Sequence, residues 1–295
     1  MTSHRAASRL SGYLFAILSG VLFGINPSFR IIASNAGMSS PAIVFLSMAV
    51  GALAAFVFCV IRHRLPRLSP LKSLKLMGIG AIGMGVTGIL LTLSYRFIPS
   101  GCSTVIHFMY PTLVCVASAI LFRQRFTWKK ALAVVLSITG VFLISGAIMA
   151  DSVTGILIAL LSGITFGSYS IVLEHDPDCA GLSSAQKMPY FMGGAALVSL
   201  LMCLITRNFG TFTATALLGS AVSGFCELFA TLLFVLGISR IGSVPVGFCS
   251  LFEPITCVVV GVLFRGEPMT AVIACGIVLA LSAVLVTVWD GMKKA

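Results

Sequence analysis

Long apolar runs follow one another down the whole chain, with short gaps between them, and they constrain this sequence more than any other feature. They fall at about 12–33, 40–61, 74–95, 100–122, 130–148, 153–174, 187–206, 214–238, 243–264 and 270–289. Each is close to the roughly 20 residues that a helix needs to cross a hydrocarbon core. A chain in lipid must satisfy every backbone N–H and C=O internally, which leaves helices and closed barrels. Barrel strands alternate apolar and polar residues. These runs do not alternate, so they read as helices. Only 9% of the 295 residues are charged and 58% are hydrophobic, with a mean hydropathy of +1.10. A soluble enzyme, a disordered chain and a secreted disulfide module are excluded. The expected fold class is an all-α integral membrane protein with ten transmembrane helices and no separate soluble domain.

The first run follows only ten residues and is too long for a signal h-region, so it is expected to be a retained span rather than a cleavable signal peptide. The formal charge of +11 is spread over the short gaps, as topology signals are, and does not point to nucleic acid. With the N-terminus inside, 15 of the 19 Lys and Arg lie on the inner side; Arg30, Arg96, Arg207 and Arg265 lie outside. Both termini are therefore expected in the cytoplasm of a cell whose inner (plasma) membrane holds the protein. Nine cysteines without a CxxC pair read as small packing residues.

The chain repeats itself. Gly12 to Gly24 (GYLFAILSGVLFG) matches Gly155 to Gly167 (GILIALLSGITFG) at an offset of 143, and the same offset carries Tyr110-Pro111 onto Glu253-Pro254. Two five-helix halves follow, 1–150 and 151–295. An odd number of spans per half inserts the second half upside down. Inverted repeats of this kind build secondary transporters, with the solute site at the repeat interface near mid-membrane. One chain suffices for a pathway, and a dimer is compatible with it.

The segment Ser250 to Thr270 (SLFEPITCVVVGVLFRGEPMT) places Glu-Pro before a small-residue span and Gly-Glu after it. Tyr110-Pro111 through Phe126-Thr127 is its first-half counterpart, with Gln124-Arg125 after the span. With the repeat and the ten runs, these segments resemble the drug/metabolite transporter superfamily, in its ten-helix EamA-type branch. The resemblance covers essentially the whole length. It implies two bundles about a central cavity, alternating access, a small-molecule substrate, no cofactor, and export of amino acids or other small metabolites as the common activity. In the first half the family usually carries a Glu after the span, where this chain has Gln124-Arg125.

Ionisable residues within a span cost about 2.5–3.5 kcal/mol on insertion scales and read as functional by default. Glu227 lies in the middle of the eighth run, and the repeat puts Met84 at its equivalent. It is a candidate for contacting an amino group or carrying a proton. Glu253 sits beside Pro254, well inside the ninth run, where proline is expected to kink the helix and free a carbonyl. His107 and Tyr110 lie one turn apart in the fourth run, before Pro111; histidine can exchange a proton. Asn26-Pro27 is expected to interrupt the first run, with Asn26 and Ser28 rescuing the freed backbone, and Tyr169 lies near the equivalent place in the sixth run. Glu267 is expected to anchor the start of the tenth helix, and Arg96 and Arg240 to reach the headgroups. No second histidine stands at metal-ligand spacing, so no metal site is expected. Gly78-x-Gly80-x-x-Gly83 formally matches a dinucleotide fingerprint, but it follows no strand and suits close helix approach. The acidic stretch 174–178 reads as a solvated loop.

Together these residues point to a secondary transporter that moves an amino acid or amine-bearing metabolite by alternating access, proton-coupled through a buried acid. One alternative is an uptake or exchange carrier for choline-like cations. Another is a non-transporting membrane enzyme or scaffold.

Overall fold

The computed structural model describes residues 2–66, 68–110, 128–147, 152–241, 246 and 249–292. Apolar runs in lipid have no partner for their peptide groups except their own backbone, and nearly all of the described chain is helical. In chain order the helices are α1 (Thr2–Asn35), α2 (Ser40–Ile61), α3 (Pro70–Ser94), α4 (Ser100–His107), α5 (Trp128–Ala147), α6 (Val153–His175), α7 (Ser184–Thr206), α8 (Ala214–Ile241), α9 (Phe252–Arg265) and α10 (Ala271–Met292). By length and composition, α1, α2, α3, α7 and α8 can cross a membrane, and shorter apolar stretches lie in α5, α6 and α10. Side chains such as Leu263, Phe264 and Val278 stand exposed on the outer faces, as a lipid-facing surface requires.

Local sequence sets several of the boundaries. Ser39 and Ser69 cap α2 and α3, each accepting from a backbone N–H three residues on, and each is followed by a proline within the first turn. Ser183 and Gln186 form a capping box at the start of α7. The glycines of α3 bring helices together. Gly80 lies against the Phe191 backbone, Gly83 against the Tyr169 ring and Gly85 against Ala195, and the helix widens to a π segment over Ala81–Val86. Around them Val44, Met48, Leu76, Met84, Phe191, Met192 and Leu228 form the largest core cluster, joining α2, α3, α7 and α8. A second cluster joins Ile106, Ile156, Ala159, Ile273 and Ile277 of α4, α6 and α10.

The prolines act differently from the expectation. Pro27 does not interrupt α1, which runs unbroken through it. Nor do Asn26 and Ser28 rescue the freed backbone: Asn26 donates to Glu227, and Ser28 accepts from Arg265. Pro254 does not kink a helix interior. A turn at Ser250–Leu251 breaks the ninth run, and Pro254 is the third residue of α9, where its missing N–H costs nothing. The fourth run turns at the equivalent place, Phe108–Met109, directly after α4. Pro111 lies outside the described residues.

The repeated glycines pack on these breaks, each on the break of the other half. A Cβ on Gly20 would meet the Cys249 carbonyl at 3.1 Å and Glu253 N at 3.2 Å; one on its repeat equivalent, Gly163, would meet the His107 carbonyl at 2.9 Å. Each half thus lends a first helix to the broken helix of its counterpart.

The gaps sort into two ends. At one, Lys72 and Lys75 pair with Asp178, Lys75 also pairs with Asp176, Gln186 donates to the Arg64 carbonyl and Arg240 donates to Ser11. At the other, Ser39 donates to the Asn208 carbonyl, Thr211 N to the Gly37 carbonyl and Arg96 to Ser34. Among the described residues, the gaps rich in Lys and Arg gather at the first end.

Two side chains depart from their expected places. Arg30 is not in a gap; it is buried inside the bundle at 5% exposure. Glu267 does not anchor α10: Gly266, at φ +64°, turns the chain back so that Glu267 accepts from the Ser100 and Gly101 backbone N–H groups and caps α4. Arg240, exposed at the end of α8, packs 4.4 Å over the Phe15 ring besides bonding Ser11, so it also ties α8 to α1. The stretch 174–178 is more ordered than a solvated loop, because Asp176 caps a single helical turn, Pro177–Ala180, and is held by Lys75.

Candidate functional site

A cavity of about 300 Å³ lies where α1, α3, α4, α6, α7, α8 and α9 converge, so both repeats line it. One wall is charged. Arg30 of α1 donates from Nη2 to Glu227 Oε2 of α8 at 3.1 Å, from Nη1 to Thr92 Oγ1 of α3 at 3.3 Å and from Nε to Ser223 Oγ of α8 at 3.3 Å. Asn26, one turn earlier on α1, donates from Nδ2 to the same Glu227 Oε2 at 2.7 Å. The carboxylate therefore fixes the amide's orientation, and Asn26 Oδ1 is buried with no hydrogen-bond partner among the described residues. Both donors reach Oε2; Glu227 Oε1 has no hydrogen bond among the described residues.

Glu253, in the first turn of α9, lines the same cavity. Its side chain has no hydrogen-bond or ion-pair partner among the described residues. Arg30 is thus paired with Glu227, and Glu253 is the second acid of the cavity.

Another part of the lining is aromatic. Tyr110 packs edge-on against Phe108 and Phe166, at 5.6 and 4.8 Å between ring centres, and Phe166, Tyr169 and Phe191 continue the wall at 5.7 and 5.9 Å. His107 joins it, 5.4 Å from Phe166. Its Nδ1 lies 2.9 Å from Ser162 Oγ, which donates to the Ala159 carbonyl at 2.7 Å. A hydroxyl carries one hydrogen, so Nδ1–H is the donor and Nε2 keeps its lone pair. Lys187, in the first turn of α7, lines the cavity toward the lysine-rich end. Among the described residues no three His, Cys, Asp or Glu side chains converge as a metal site would need.

Asn26, Pro27, His107, Tyr110, Tyr169, Glu227 and Glu253 all line this one cavity. Pro254 is buried beside it and does not line it. Sequence reasoning missed Arg30, Tyr95 and Lys187. Arg30 was findable: it falls inside the first apolar run and stands one turn from Asn26, and an intramembrane cation should have been matched to the intramembrane acid Glu227. Nothing in the sequence singles out Tyr95.

Comparison with known proteins fits this architecture. Over 109 residues the chain is 29% identical to an uncharacterized transporter of Archaeoglobus fulgidus, covering 35% of this chain and 39% of that one. Over 159 residues it is 23% identical to the uncharacterized transporter YdfC of Bacillus subtilis, covering 53% and 51%. The chain thus spans about half or less of the curated relatives it matches. A protein of known crystal structure shares the fold over 95% of this chain and 96% of its own, with a TM-score of 0.63 at 15% identity. One family matches twice, over residues 10–146 and 153–289, with the offset at which the sequence repeats; this multi-pass membrane protein belongs to the EamA-like transporter family.

Proposed function

We propose that this protein is a secondary transporter for a small organic solute carrying a protonated amine, an amino acid or a related metabolite. The observation that carries this reading is one cavity lined both by Glu253, which has no ion-pair partner among the described residues, and by the Tyr110–Phe166–Tyr169–Phe191 rings. An ammonium group has an acid to meet, and an apolar body has rings to pack on. Glu227 has less freedom for the same task, since Arg30 and Asn26 hold one of its oxygens.

The architecture we propose is ten spans in two inverted five-helix halves, 1–150 and 151–295, with both termini on the cytoplasmic side of the inner (plasma) membrane. The reciprocal packing of Gly20 and Gly163 and the gathering of basic gaps at one end support it. Alternating access between the halves follows, and a Glu253 that holds a proton in one state and the solute in the other would couple the two. Export is the direction that the family resemblance implies. The aromatic wall also favours a second reading, a choline-like cation held by the rings.

The test is ligand stabilisation of the purified protein in detergent at pH 6 and pH 8, since a ligand bound only by the folded state raises the melting temperature. Amino acids, primary alkylamines, quaternary amines and anionic metabolites are compared on wild type, Glu253→Gln and Glu227→Gln. Stabilisation by primary amines that is lost in Glu253→Gln supports the proposal. Stabilisation by quaternary amines alone selects the second reading, and stabilisation by anions alone overturns both. Efflux of the selected solute from oriented proteoliposomes then reads direction.

A further inference from the structure

Tyr95 stands where three spaces meet. It lines the central cavity and two further spaces, of about 290 and 470 Å³, on the side of Arg96. Among the described residues, only Arg30 and Tyr95 line both the central cavity and the smaller outer space. These two side chains are therefore the partition between solute cavity and exterior at that end. Tyr95 follows the last residue of α3 and lines the central cavity together with Thr104 of α4. Arg30 spends every arm of its guanidinium across the gap, tying α1 to Thr92 of α3 and to Ser223 and Glu227 of α8.

We propose that Arg30, locked on Glu227 and backed by Tyr95, is the gate closing the central cavity toward the Arg96 end, and that the cationic solute opens it by taking the place of Arg30 on Glu227. The second clause rests on the amine-bearing substrate proposed above. Glu227 is built for such an exchange. Its Oε2 holds Arg30 and Asn26, while Oε1 has no hydrogen bond among the described residues and the residue lines the cavity. A cation arriving at Oε1 shares the charge that holds Arg30 and weakens that bond. Asn26 Oδ1, buried beside it, is an acceptor with no hydrogen bond among the described residues. The lock is one-sided. At the repeat offset, Arg30 corresponds to Leu173 and Glu227 to Met84, so the equivalent pair in the other half has no charge to exchange. Only one of the two gates answers to a cation.

The test places a cysteine at Thr231, a cavity residue one turn beyond Glu227 and away from Arg96. Thr231→Cys protein in oriented proteoliposomes is exposed from the Arg96 side to the membrane-impermeant reagent (2-sulfonatoethyl) methanethiosulfonate. Modification is read by fragment-ion mass spectrometry, which places the adduct at residue 231 and separates it from the nearby Cys226 and the other native thiols. Labelling should be slow in this background, and at least tenfold faster when Arg30→Met or Tyr95→Ala is added. Gly78→Ala, whose added Cβ meets nothing within 4 Å, should leave it unchanged. Labelling from the Lys187 side reports that each variant is folded, and Tyr95→Ala keeps the ion pair intact should Arg30→Met fail that check. Added n-butylammonium should speed labelling from the Arg96 side in the Thr231→Cys background and not in Arg30→Met, while acetate should do neither. Equal labelling rates in the gate variants overturn the gate even where n-butylammonium still stabilises the protein. Faster labelling in the variants without any n-butylammonium effect, where the amine does stabilise the protein, overturns the exchange. Absence of any n-butylammonium stabilisation overturns the substrate reading and leaves the gate standing.

Discussion

Ser100 donates both its backbone N–H and its hydroxyl to one carboxylate oxygen of Glu267, at 3.1 and 2.6 Å, across 167 positions of sequence. The second Glu267 oxygen accepts from Gly101 N, and Arg265 holds the acid from the other side at 3.0 Å. The loop after α9 thus caps α4, so the two helices that break beside the cavity are fixed to each other at their far ends. Glu267→Ala removes the cap and leaves Arg265 without its carboxylate, held only by Ser28, Ser100 and the Cys257 carbonyl. It should destabilise the protein by about 1–3 kcal/mol, a capping bond plus the cost of an unpaired partly buried group. Glu267→Gln, which keeps an acceptor, should cost less. Equal melting temperatures for Glu267→Ala and wild type would remove the cap from this account.

The Arg30–Glu227 pair should show strong coupling. Arg30 is 6% and Glu227 15% exposed at the side chain. Removing one member of a buried pair leaves a naked charge and costs about 3–5 kcal/mol, whereas removing both together costs far less. Arg30→Met and Glu227→Gln should each be severe, and the double variant should recover much of the loss. A double-mutant cycle on reversible unfolding in mixed detergent reads this directly; simple additivity would mean the two charges do not depend on each other.

Two glycines make a matched comparison. A Cβ on Gly24 would come to 2.5 Å from the Glu253 carbonyl oxygen and 2.6 Å from Thr256 Cβ, and neither can swing aside without moving α9. Gly24→Ala should therefore destabilise by about 1–3 kcal/mol, the usual cost of forced overpacking, and should disturb Glu253 with it. A Cβ on Gly78 meets nothing within 4 Å. Gly78→Ala should be neutral or stabilising by up to about 1 kcal/mol, since alanine is the better helix former. Thermal unfolding of both variants side by side checks the contrast.

The helices were largely legible from the sequence and the site's pairings were not, for reasons visible in single residues. The second apolar run, 40–61, has the bounds of α2, because Ser39 and Pro41 mark its start and the basic stretch from Arg62 marks its end, all within local reach. Six residues singled out for polarity within a run, Asn26, His107, Tyr110, Tyr169, Glu227 and Glu253, converge on one cavity, since lipid leaves polar groups nowhere else to go. The effect of Pro254 was misjudged because proline announces a broken hydrogen bond without saying whether the helix bends there or begins there. The partners of Glu227 and Glu267 stand 197 and 167 positions away, and no periodicity in a single sequence carries contacts of that range.

The cluster at the lysine-rich end should respond to pH and salt. Lys75 and, for Asp178, also Lys72 hold both aspartate carboxyls below the ordinary carboxylate range by direct hydrogen bonds. A lowered folded value means that the clamp contributes in full above the unfolded carboxylate value, about 3.9, and is lost as pH falls through the folded ones. Between pH 8 and pH 5 the contribution should be flat. Below about pH 4 it should decline in wild type, and the decline should be shallower in Asp176→Asn/Asp178→Asn. Because these side chains meet solvent, high salt should shrink the difference between the two proteins even at neutral pH. Melting temperatures across pH 3–8 at low and high salt would check this. A difference that persists unchanged at high salt would assign the clamp to geometry, such as the Asp176 cap on Pro177–Ala180, instead of charge.

The second acid of the cavity sets the last expectation. Glu253 lines the cavity with no ion-pair partner among the described residues, so a solute ammonium or a proton is its natural counter-charge. If the two compete, transport should depend on pH in wild type, and Glu253→Gln, which can bind neither as a charge, should lose both the pH dependence and most of the transport. Glu227→Gln should behave differently. It removes the grip on Arg30 and leaves Glu253 in place, so binding of an amine should persist while the cavity leaks toward the Arg96 end. Flux and ligand stabilisation measured on the same two variants separate these outcomes. Identical loss of both properties in both variants would mean that the two acids act as one site and not as recognition acid and gate.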